Sequence, residues 1–234
     1  MSLKKASLII ILVLLIDQIS KVYIKTHFIL GEEIPVFDWF RILFVENEGM
    51  AWGAKIPGEY GKLALTLFRI VAIGGIGYWI WDSIRKDAPR ILILSIAFIF
   101  AGAMGNIIDS VFYGIIFNDS HHQVATLFPE EGGYGTFFHG KVVDMLYFPL
   151  WEGILPEWLP IWGGKFFIFF NPVFNIADTA ISVGVGILLF FNKRAFPKKD
   201  VQEAVDYLWK NRNIAKTILN TKGETYDLTR EAVF

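Results

Sequence analysis

Two aspartates in apolar surroundings are the side chains of this sequence best suited to chemistry. Asp178 interrupts the apolar stretch NPVFNIADTAISVGVGILLF and Asp144 lies in GKVVDML, and neither carboxylate has an obvious cationic partner. If the two carboxyl groups lie about 3 Å apart, charge repulsion keeps one protonated while the other acts as a base. Such a pair can activate water against a peptide carbonyl, with the protonated partner polarising the carbonyl oxygen.

The residues alone leave three hypotheses open for this pair. It is a proteolytic pair, part of a pathway for protons or ions, or a set of structural polar clamps. An ionisable side chain inside a membrane is costly and marks a functional site by default, although a structural ion pair is the competing explanation. The choice depends on the elements that carry the two residues.

Four stretches of the chain are long and apolar enough to be those elements. The sequence has 234 residues, of which 54% are hydrophobic, and a membrane-spanning helix needs about 20 mostly apolar residues. The stretches are residues 6–23, 63–81, 91–108 and 172–191. We therefore predict a mainly α-helical integral membrane protein with four transmembrane helices.

The lysines and arginines that flank these stretches predict the orientation of the chain. They cluster before the first helix, between the second and third, and after the fourth. Cytoplasmic loops are enriched in these residues, so both termini are predicted to be cytoplasmic. The connections 27–62 and 113–171 then lie on the outer, non-cytoplasmic side of the membrane.

The outer connections are too long to be simple loops. The run EIPVFDWFRILFVEN is β-branched and aromatic, and predicts a small strand-rich element at the outer membrane surface. The run FNDSHHQVATLFPEEGGYGTFFHG is polar and glycine-rich, and is interpreted as a flexible excursion. The run PLWEGILPEWLPIWGGKFFIFF contains prolines that would break a spanning helix, so we expect it to lie along the interface without crossing.

Polar residues from several predicted helices gather at one depth, near the outer surface. Those of the fourth helix are spaced i, i+4, i+7 and i+11, which is one helix face. The members are Asp17 and Lys21 in the first helix, Asn106 and Asp109 in the third, and Asn171, Asn175, Asp178 and Ser182 in the fourth. The outer loops add Asn47 and Asp144, so the polar residues converge on one region.

Composition excludes several kinds of site. The chain has no cysteine, so thiolate metal sites, cysteine nucleophiles and internal disulfides are ruled out. Its histidines fall in or beside the outer loops and form no HExxH pattern. We expect no metal, no organic cofactor and no nucleic-acid partner.

Five short segments, in this order, resemble the bacterial lipoprotein signal peptidase family (signal peptidase II). They are DQISKVYIK from Asp17, NEGMAWG from Asn47, GAMGNIIDS from Gly102, GKVVD from Gly140 and FNIADTAI from Phe174. The resemblance implies a membrane aspartic endopeptidase that removes the signal peptide of prolipoproteins before a diacylglyceryl-modified cysteine. It implies a multi-pass protein of the bacterial inner membrane whose active site lies near the outer face, with membrane lipid around it.

The resemblance also implies roles for individual residues. Asp144 and Asp178 match the catalytic aspartates. The matched positions that line the site or hold substrate are Asn47, Gly49, Asn106 and Asn175. Asp17 and Lys21 match a first-helix motif that is expected to be an ion pair, and Asp109 is expected to orient its neighbours. A proton-coupled transporter or channel that uses intramembrane carboxylates is the alternative function.

Two departures from the family pattern stand out. Ser110 occupies the position where family members usually have an arginine. Arg69 in the second helix could replace that positive charge, but we place it outside the site because its side chain can equally extend to the membrane interface. An insertion at about residues 117–139 lengthens the connection that leads to Asp144, and its simplest interpretation is a tolerated surface loop. The predicted organisation is a membrane peptidase domain over residues 1–192, followed by a cytoplasmic tail over 193–234 with an amphipathic helix around residues 201–209.

Overall fold

Three long apolar helices form the frame of the molecule. The computed structural model describes residues 1–48 and 60–197, together with positions 206, 207, 209 and 211 of the tail. Helix α1 covers Leu3–His27, α2 covers Gly61–Arg85 and α3 covers Arg90–Ile108. Each is long and apolar enough to cross a membrane. Three of the predicted spans are therefore long apolar helices.

Helix α3 runs on beyond its predicted end at residue 108. A π-helical turn, Asp109–Tyr113, follows it, and a last helical turn, α4, covers Gly114–Ile116. Such π-helical turns often occur at functional sites because they change the direction of side chains within a helix. Here the turn begins at Asp109, one of the predicted site residues.

The fourth apolar helix is shorter than predicted. Helix α5 covers Ile176–Phe190, and a short helix α6 covers Asn192–Ala195. With its 15 residues, α5 is about 22 Å long at 1.5 Å per residue. A start at residue 172 is wrong, because Val173 and Phe174 form a strand and Asn175 caps the helix. That α5 is a fourth crossing stays a prediction.

A four-stranded antiparallel sheet lies between the helix ends, which confirms the predicted strand-rich element. Its strands are β1 (Glu33–Phe37), β2 (Phe40–Asn47), β3 (Val142–Tyr147) and β6 (Val173–Phe174), in the order β1-β2-β3-β6. Val45 pairs with Asp144 and Asn47 with Val142, while Leu146 pairs with Phe174. The sheet therefore joins the Asn47 segment, the Asp144 segment and the start of α5.

The proline-rich outer segment is a second, separate hairpin. Strands β4 (Trp151–Ile154) and β5 (Phe166–Phe169) pair antiparallel and expose most of their side chains. Two aromatic residues of the connecting turn, Trp158 and Trp162, are exposed as well. Its predicted position along the membrane interface stays a prediction.

The insertion differs from the flexible excursion predicted for it, because it is bonded to the end of the α3 extension. Backbone amides of Phe128 and Tyr134 donate to the carbonyls of Ile116 and Phe117, at 2.7 and 2.9 Å. Val124 forms a β-bridge with Ile29 beyond the end of α1. The predicted amphipathic helix of the tail lies largely outside the described residues.

Glycines bring α3 and α5 into close contact at the level of the site. A Cβ atom added at Gly102 would lie 2.2 Å from the backbone oxygen of Ala177 and 2.8 Å from Ile181. One added at Gly184 would lie 2.6 Å from the oxygen of Ser95. Small residues let membrane helices approach in this way, and the contact holds the N-terminal half of α5 against α3.

We expect Gly102→Ala to lower the midpoint of thermal unfolding in detergent micelles. Overpacking typically costs about 1–3 kcal/mol, which exceeds the gain of about 1 kcal/mol in helix propensity. Gly75→Ala on α2 is the matched control, because a Cβ atom there has nothing within 4 Å. Equal midpoints for the two variants would contradict the close contact.

Candidate active site

The ammonium group of Lys21 holds together the polar residues of α1 and α3. Its Nζ lies 2.9 Å from Asp17 Oδ2, 2.9 Å from Asp109 Oδ2, and donates to Asn106 Oδ1 at 2.9 Å. These four residues, the Lys21 network, are all buried. A buried charge is stable only when it is paired and hydrogen-bonded, so the three carboxylate and amide partners satisfy all three donors of the ammonium group.

The Lys21 network also reaches the two segments that carry Asp144 and Asp178. Asp17 Oδ1 accepts a hydrogen bond of 2.9 Å from the amide of Ala177, in the first turn of α5. Asp109 Oδ2 accepts one of 3.3 Å from the amide of Val143, the residue before Asp144. The same buried ions therefore position strand β3 and the beginning of α5.

Asp178 lies at the N-terminus of α5, where the helix dipole favours a negative charge. Asn175 is the N-cap residue: its Oδ1 accepts from the Asp178 amide at 2.9 Å, while Asp178 Oδ2 accepts from the Asn175 amide at 3.3 Å. This reciprocal capping box fixes the start of the helix. The side-chain amide of Asn106 donates to Asp178 Oδ1 at 2.8 Å. Asp178 is only partly buried.

Asp144 lies on β3 in a more enclosed position, with 3% of the residue exposed. Its Oδ1 accepts a hydrogen bond of 2.7 Å from the side-chain amide of Asn175. Its Oδ2 accepts a short hydrogen bond from the side-chain amide of Asn47 on β2. The side chain of Asn175 thus bonds to the Asp144 carboxyl group through its nitrogen and to the Asp178 backbone amide through its oxygen, and connects the two aspartates.

Burial raises the pKa of the Asp144 carboxyl to about 8, and the negative charge of Asp178 acts in the same direction. The positive charge of Lys21 and the hydrogen bonds from Asn47 and Asn175 oppose this shift in pKa because they favour the charged form. Near neutral pH the Asp144 carboxyl therefore retains its proton. The two carboxyl groups differ in environment, as an acid and a base that act together require.

All but one of the predicted site residues are brought together. Those that meet are Asp17, Lys21, Asn47, Asn106, Asp109, Asp144, Asn175 and Asp178. Gly49 lies outside the described residues. Asn171, predicted on the polar face of the fourth helix, instead precedes β6 and accepts a hydrogen bond of 3.1 Å from the hydroxyl of Tyr147.

Ser110 and Arg69 have separate places in the structure. The hydroxyl of Ser110 donates to the backbone oxygen of Asn106 at 3.0 Å, so it bonds within its own helix. Arg69 was placed outside the site, yet its charge interacts favourably with that of Asp178. Arg69 therefore belongs to the electrostatic environment of the partly exposed aspartate.

Two residues of α1 with a clear place in this region were missed from the sequence. Gln18 donates to Asp109 Oδ1 and to Asp17 Oδ2, both at 3.0 Å, and accepts from the Tyr113 hydroxyl. Lys25 is fully buried one turn beyond Lys21. The spacing of Asp17, Lys21 and Lys25 along one helix face was the signal that could have revealed Lys25.

Comparison with known proteins identifies the family of this chain. The family model described as Signal peptidase (SPase) II matches residues 9–192. A lipoprotein signal peptidase of Porphyromonas gingivalis is 52% identical over 187 residues, which cover 80% of this chain and 81% of that protein. A lipoprotein signal peptidase of Amoebophilus asiaticus is 35% identical, over 83% of this chain and 80% of that protein.

A solved structure described as a bacterial membrane enzyme has the same fold. It aligns with a TM-score of 0.56 over 84% of this chain and 93% of its own, at 24% sequence identity. The fold and the relatives together define a membrane-embedded protease. The chain belongs to the signal peptidase II family, and its activity is that of a lipoprotein signal peptidase acting on a prolipoprotein. This favours the peptidase over the alternative of a proton-coupled transporter.

We expect the stability of the protein to fall as the pH rises from about 4 to about 8 through the contribution of Asp144. The pKa of this carboxyl is about 8 in the folded protein against an ordinary value of 3.8, so between these values the folded state binds a proton that the unfolded state has lost. The slope from one group is at most about 1.4 kcal/mol per pH unit. Asp144→Asn stays neutral, so its melting temperature in detergent should depend less on pH than that of the unmodified protein. Identical slopes would contradict the raised pKa.

Proposed function

We propose that Asp144 and Asp178 are the catalytic pair that hydrolyses the signal-peptide bond of diacylglyceryl-modified prolipoproteins. The observation that carries the proposal is the link through Asn175, which hydrogen-bonds Asp144 with its amide nitrogen and the Asp178 backbone with its oxygen. The link places a buried, protonated carboxyl group beside a partly exposed carboxylate. That is the combination needed to activate water without a metal ion.

In this mechanism the two aspartates have different roles. The Asp178 carboxylate takes a proton from water, whose oxygen attacks the scissile carbonyl carbon, while Asp144 donates its proton to the carbonyl oxygen. When the tetrahedral intermediate collapses, Asp178 gives its proton to the leaving nitrogen, the C–N bond breaks, and Asp144 recovers a proton from the hydroxyl group. The raised pKa of Asp144 and the exposure of Asp178 support this division.

The lipid part of the substrate would lie against a row of half-buried aromatic rings beside the site. The rings of Phe40 and Phe148 stack at 4.8 Å between centroids, and Phe148 stacks on Phe174 at 5.6 Å, immediately before the N-cap of α5. Acyl chains that enter laterally from the bilayer would meet this row of rings first. The diacylglyceryl group would thereby bring the adjacent peptide bond to the aspartates.

The charge distribution supports an active site near the outer face of the inner membrane. Arg85 at the end of α2 and Arg90 at the start of α3 lie at the helix ends remote from Asp109. By the preference of basic residues for the cytoplasmic side, those ends face the cytoplasm. Both termini are then cytoplasmic if α5 is a fourth crossing, and the sheet faces outward.

We expect Asp144→Asn and Asp178→Asn each to reduce cleavage of a lipid-modified precursor by about 100-fold to 10,000-fold, the usual contribution of general acid–base groups. Cleavage is measured with purified protein in detergent or liposomes. Asp38→Asn, at an exposed position between β1 and β2, is the matched control and should keep normal activity. A normal rate in either of the first two variants would disprove the assigned pair.

We expect activity to decline as the pH rises through about 8, because Asp144 then loses the proton that it must donate. Asn47→Ala removes a hydrogen bond that favours the charged form of Asp144, so the pKa should rise and the alkaline limb should move to higher pH. The measurement is kcat against pH for both proteins. An alkaline limb that moves to lower pH in Asn47→Ala would contradict the role of this contact.

A further inference from the structure

A second buried charge cluster lies behind the sheet, one helical turn from Lys21. Lys25 Nζ forms a short ion pair with Glu46 Oε1 and donates to the hydroxyl of Ser120 at 2.9 Å. The Lys25 and Glu46 side chains are 0% and 3% exposed, and Ser120 is fully buried. These three residues, the Lys25 cluster, come from α1, β2 and the insertion.

The surroundings of the cluster make the interaction strong and geometrically restrictive. Lys25 Nζ lies 4.9 Å from the ring centroid of Tyr134 and 5.4 Å from that of Phe117, and cation–π contacts strengthen when they are shielded from water. Lys141 Nζ lies 3.4 Å from Glu46 Oε2, so both oxygens of this carboxylate have partners. Because a buried charge is strongly destabilising without its partner, the Lys25 ammonium group and the Glu46 carboxylate must stay together.

The insertion supplies a large share of this environment. The insertion begins at Phe117 and includes Ser120 and Tyr134. The backbone amide of Leu30 donates to the backbone carbonyl oxygen of Ser120 at 3.1 Å. The Tyr134 hydroxyl accepts a hydrogen bond of 2.7 Å from the amide of Lys141, three residues before Asp144. The insertion therefore closes over the cluster and is tied to the strand that carries Asp144.

Strand geometry connects the cluster to the active site. Glu46 pairs with Val143, and Asn47 with Val142, so the last two residues of β2 lie beside β3. Neighbouring side chains on a strand point to opposite faces. Glu46 points to Lys25, while Asn47 points to the other face and donates to Asp144 Oδ2. Holding the Glu46 carboxylate thus fixes the end of β2, and with it the position of the Asn47 amide.

We propose that the Lys25 cluster is a positioning device for the active site, in which the insertion, through Ser120, holds Glu46 so that Asn47 bonds to Asp144. The proposal rests on the proposed function, because it assigns Asn47 a role at a catalytic aspartate. By this proposal the insertion contributes to catalysis, whereas the sequence predicted only a tolerated surface loop. Lys25, Glu46 and Ser120 act through Asn47 and do not contact the substrate.

The test is a double-mutant cycle between the cluster and Asn47, with kcat and KM measured on a lipid-modified precursor. Ser120→Ala removes one hydroxyl group and should lower kcat roughly three- to tenfold, as expected when a hydrogen bond of typical strength is lost, with KM unchanged. In an Asn47→Ala background the same substitution should have no further effect on kcat. Lys25→Met should lower kcat by a larger factor, and this effect too should disappear in the Asn47→Ala background. The melting temperature of the Lys25→Met variant is measured to check that it is folded.

Gln123→Ala is the matched control, since Gln123 is exposed in the same insertion and its amide donates only to the oxygen of Asp119 among the described contacts. It should leave kcat unchanged. An unchanged kcat in Ser120→Ala, or an equal fall with and without Asn47, would overturn the positioning role while leaving the catalytic pair intact. Full activity of Asp144→Asn would instead overturn the proposed function, and the positioning role with it.

Discussion

The site depends on one buried ammonium group. Lys21 is fully enclosed, and it needs the carboxylates of Asp17 and Asp109 because an unpaired charge there would be strongly destabilising. Each carboxylate uses its remaining capacity on a backbone amide of another element: Ala177 in α5 for Asp17, and Val143 in β3 for Asp109. Satisfying one charge therefore sets the relative position of two segments that are distant in sequence.

That constraint explains why the two proposed catalytic carboxyl groups differ. Asp144 lies on a buried strand next to the Lys21 network, whereas Asp178 lies in the first turn of a helix and stays partly exposed. Burial and a neighbouring negative charge disfavour ionisation of the first, while the second lies at a helix N-terminus and accepts a hydrogen bond from the side-chain amide of Asn106. An acid and a base thus arise from the same residue type, through their surroundings.

The sheet extends this arrangement to parts of the chain outside the helices. Strand β2 brings Asn47 to Asp144, and β6 leads directly into the N-cap of α5. On the opposite face of β2, Glu46 is held by Lys25 and by the insertion. Consecutive residues of a single strand thus serve two buried polar clusters, and this requires the register of β2 on β3 to be maintained.

Much of the site could be predicted from local pattern. Apolar length predicted the first three helices, and a β-branched and aromatic run predicted the strand-rich element that contains β1 and β2. The short motifs singled out Asp144, Asp178, Asn106 and Asn175. These properties are local, because a span or a strand is encoded by consecutive residues. The late start of α5, by contrast, escaped prediction because Val173 and Phe174 pair with β3, a partner distant in sequence.

Tertiary structure alone decided which polar groups meet and how each one is charged. Nothing in the sequence indicates that Ser120 of a polar, glycine-rich insertion reaches Lys25, or that Asn171 bonds to Tyr147 while Asn175 caps the helix. Hydrogen bonds between residues far apart in the chain form only when the fold places the two atoms to within a few tenths of an ångström. Burial depends on every element that packs around a group. The sequence by itself determined the membrane helices and the chemical groups of the site; the packing determined that Asp144 keeps its proton, because only the folded chain removes that carboxyl from water.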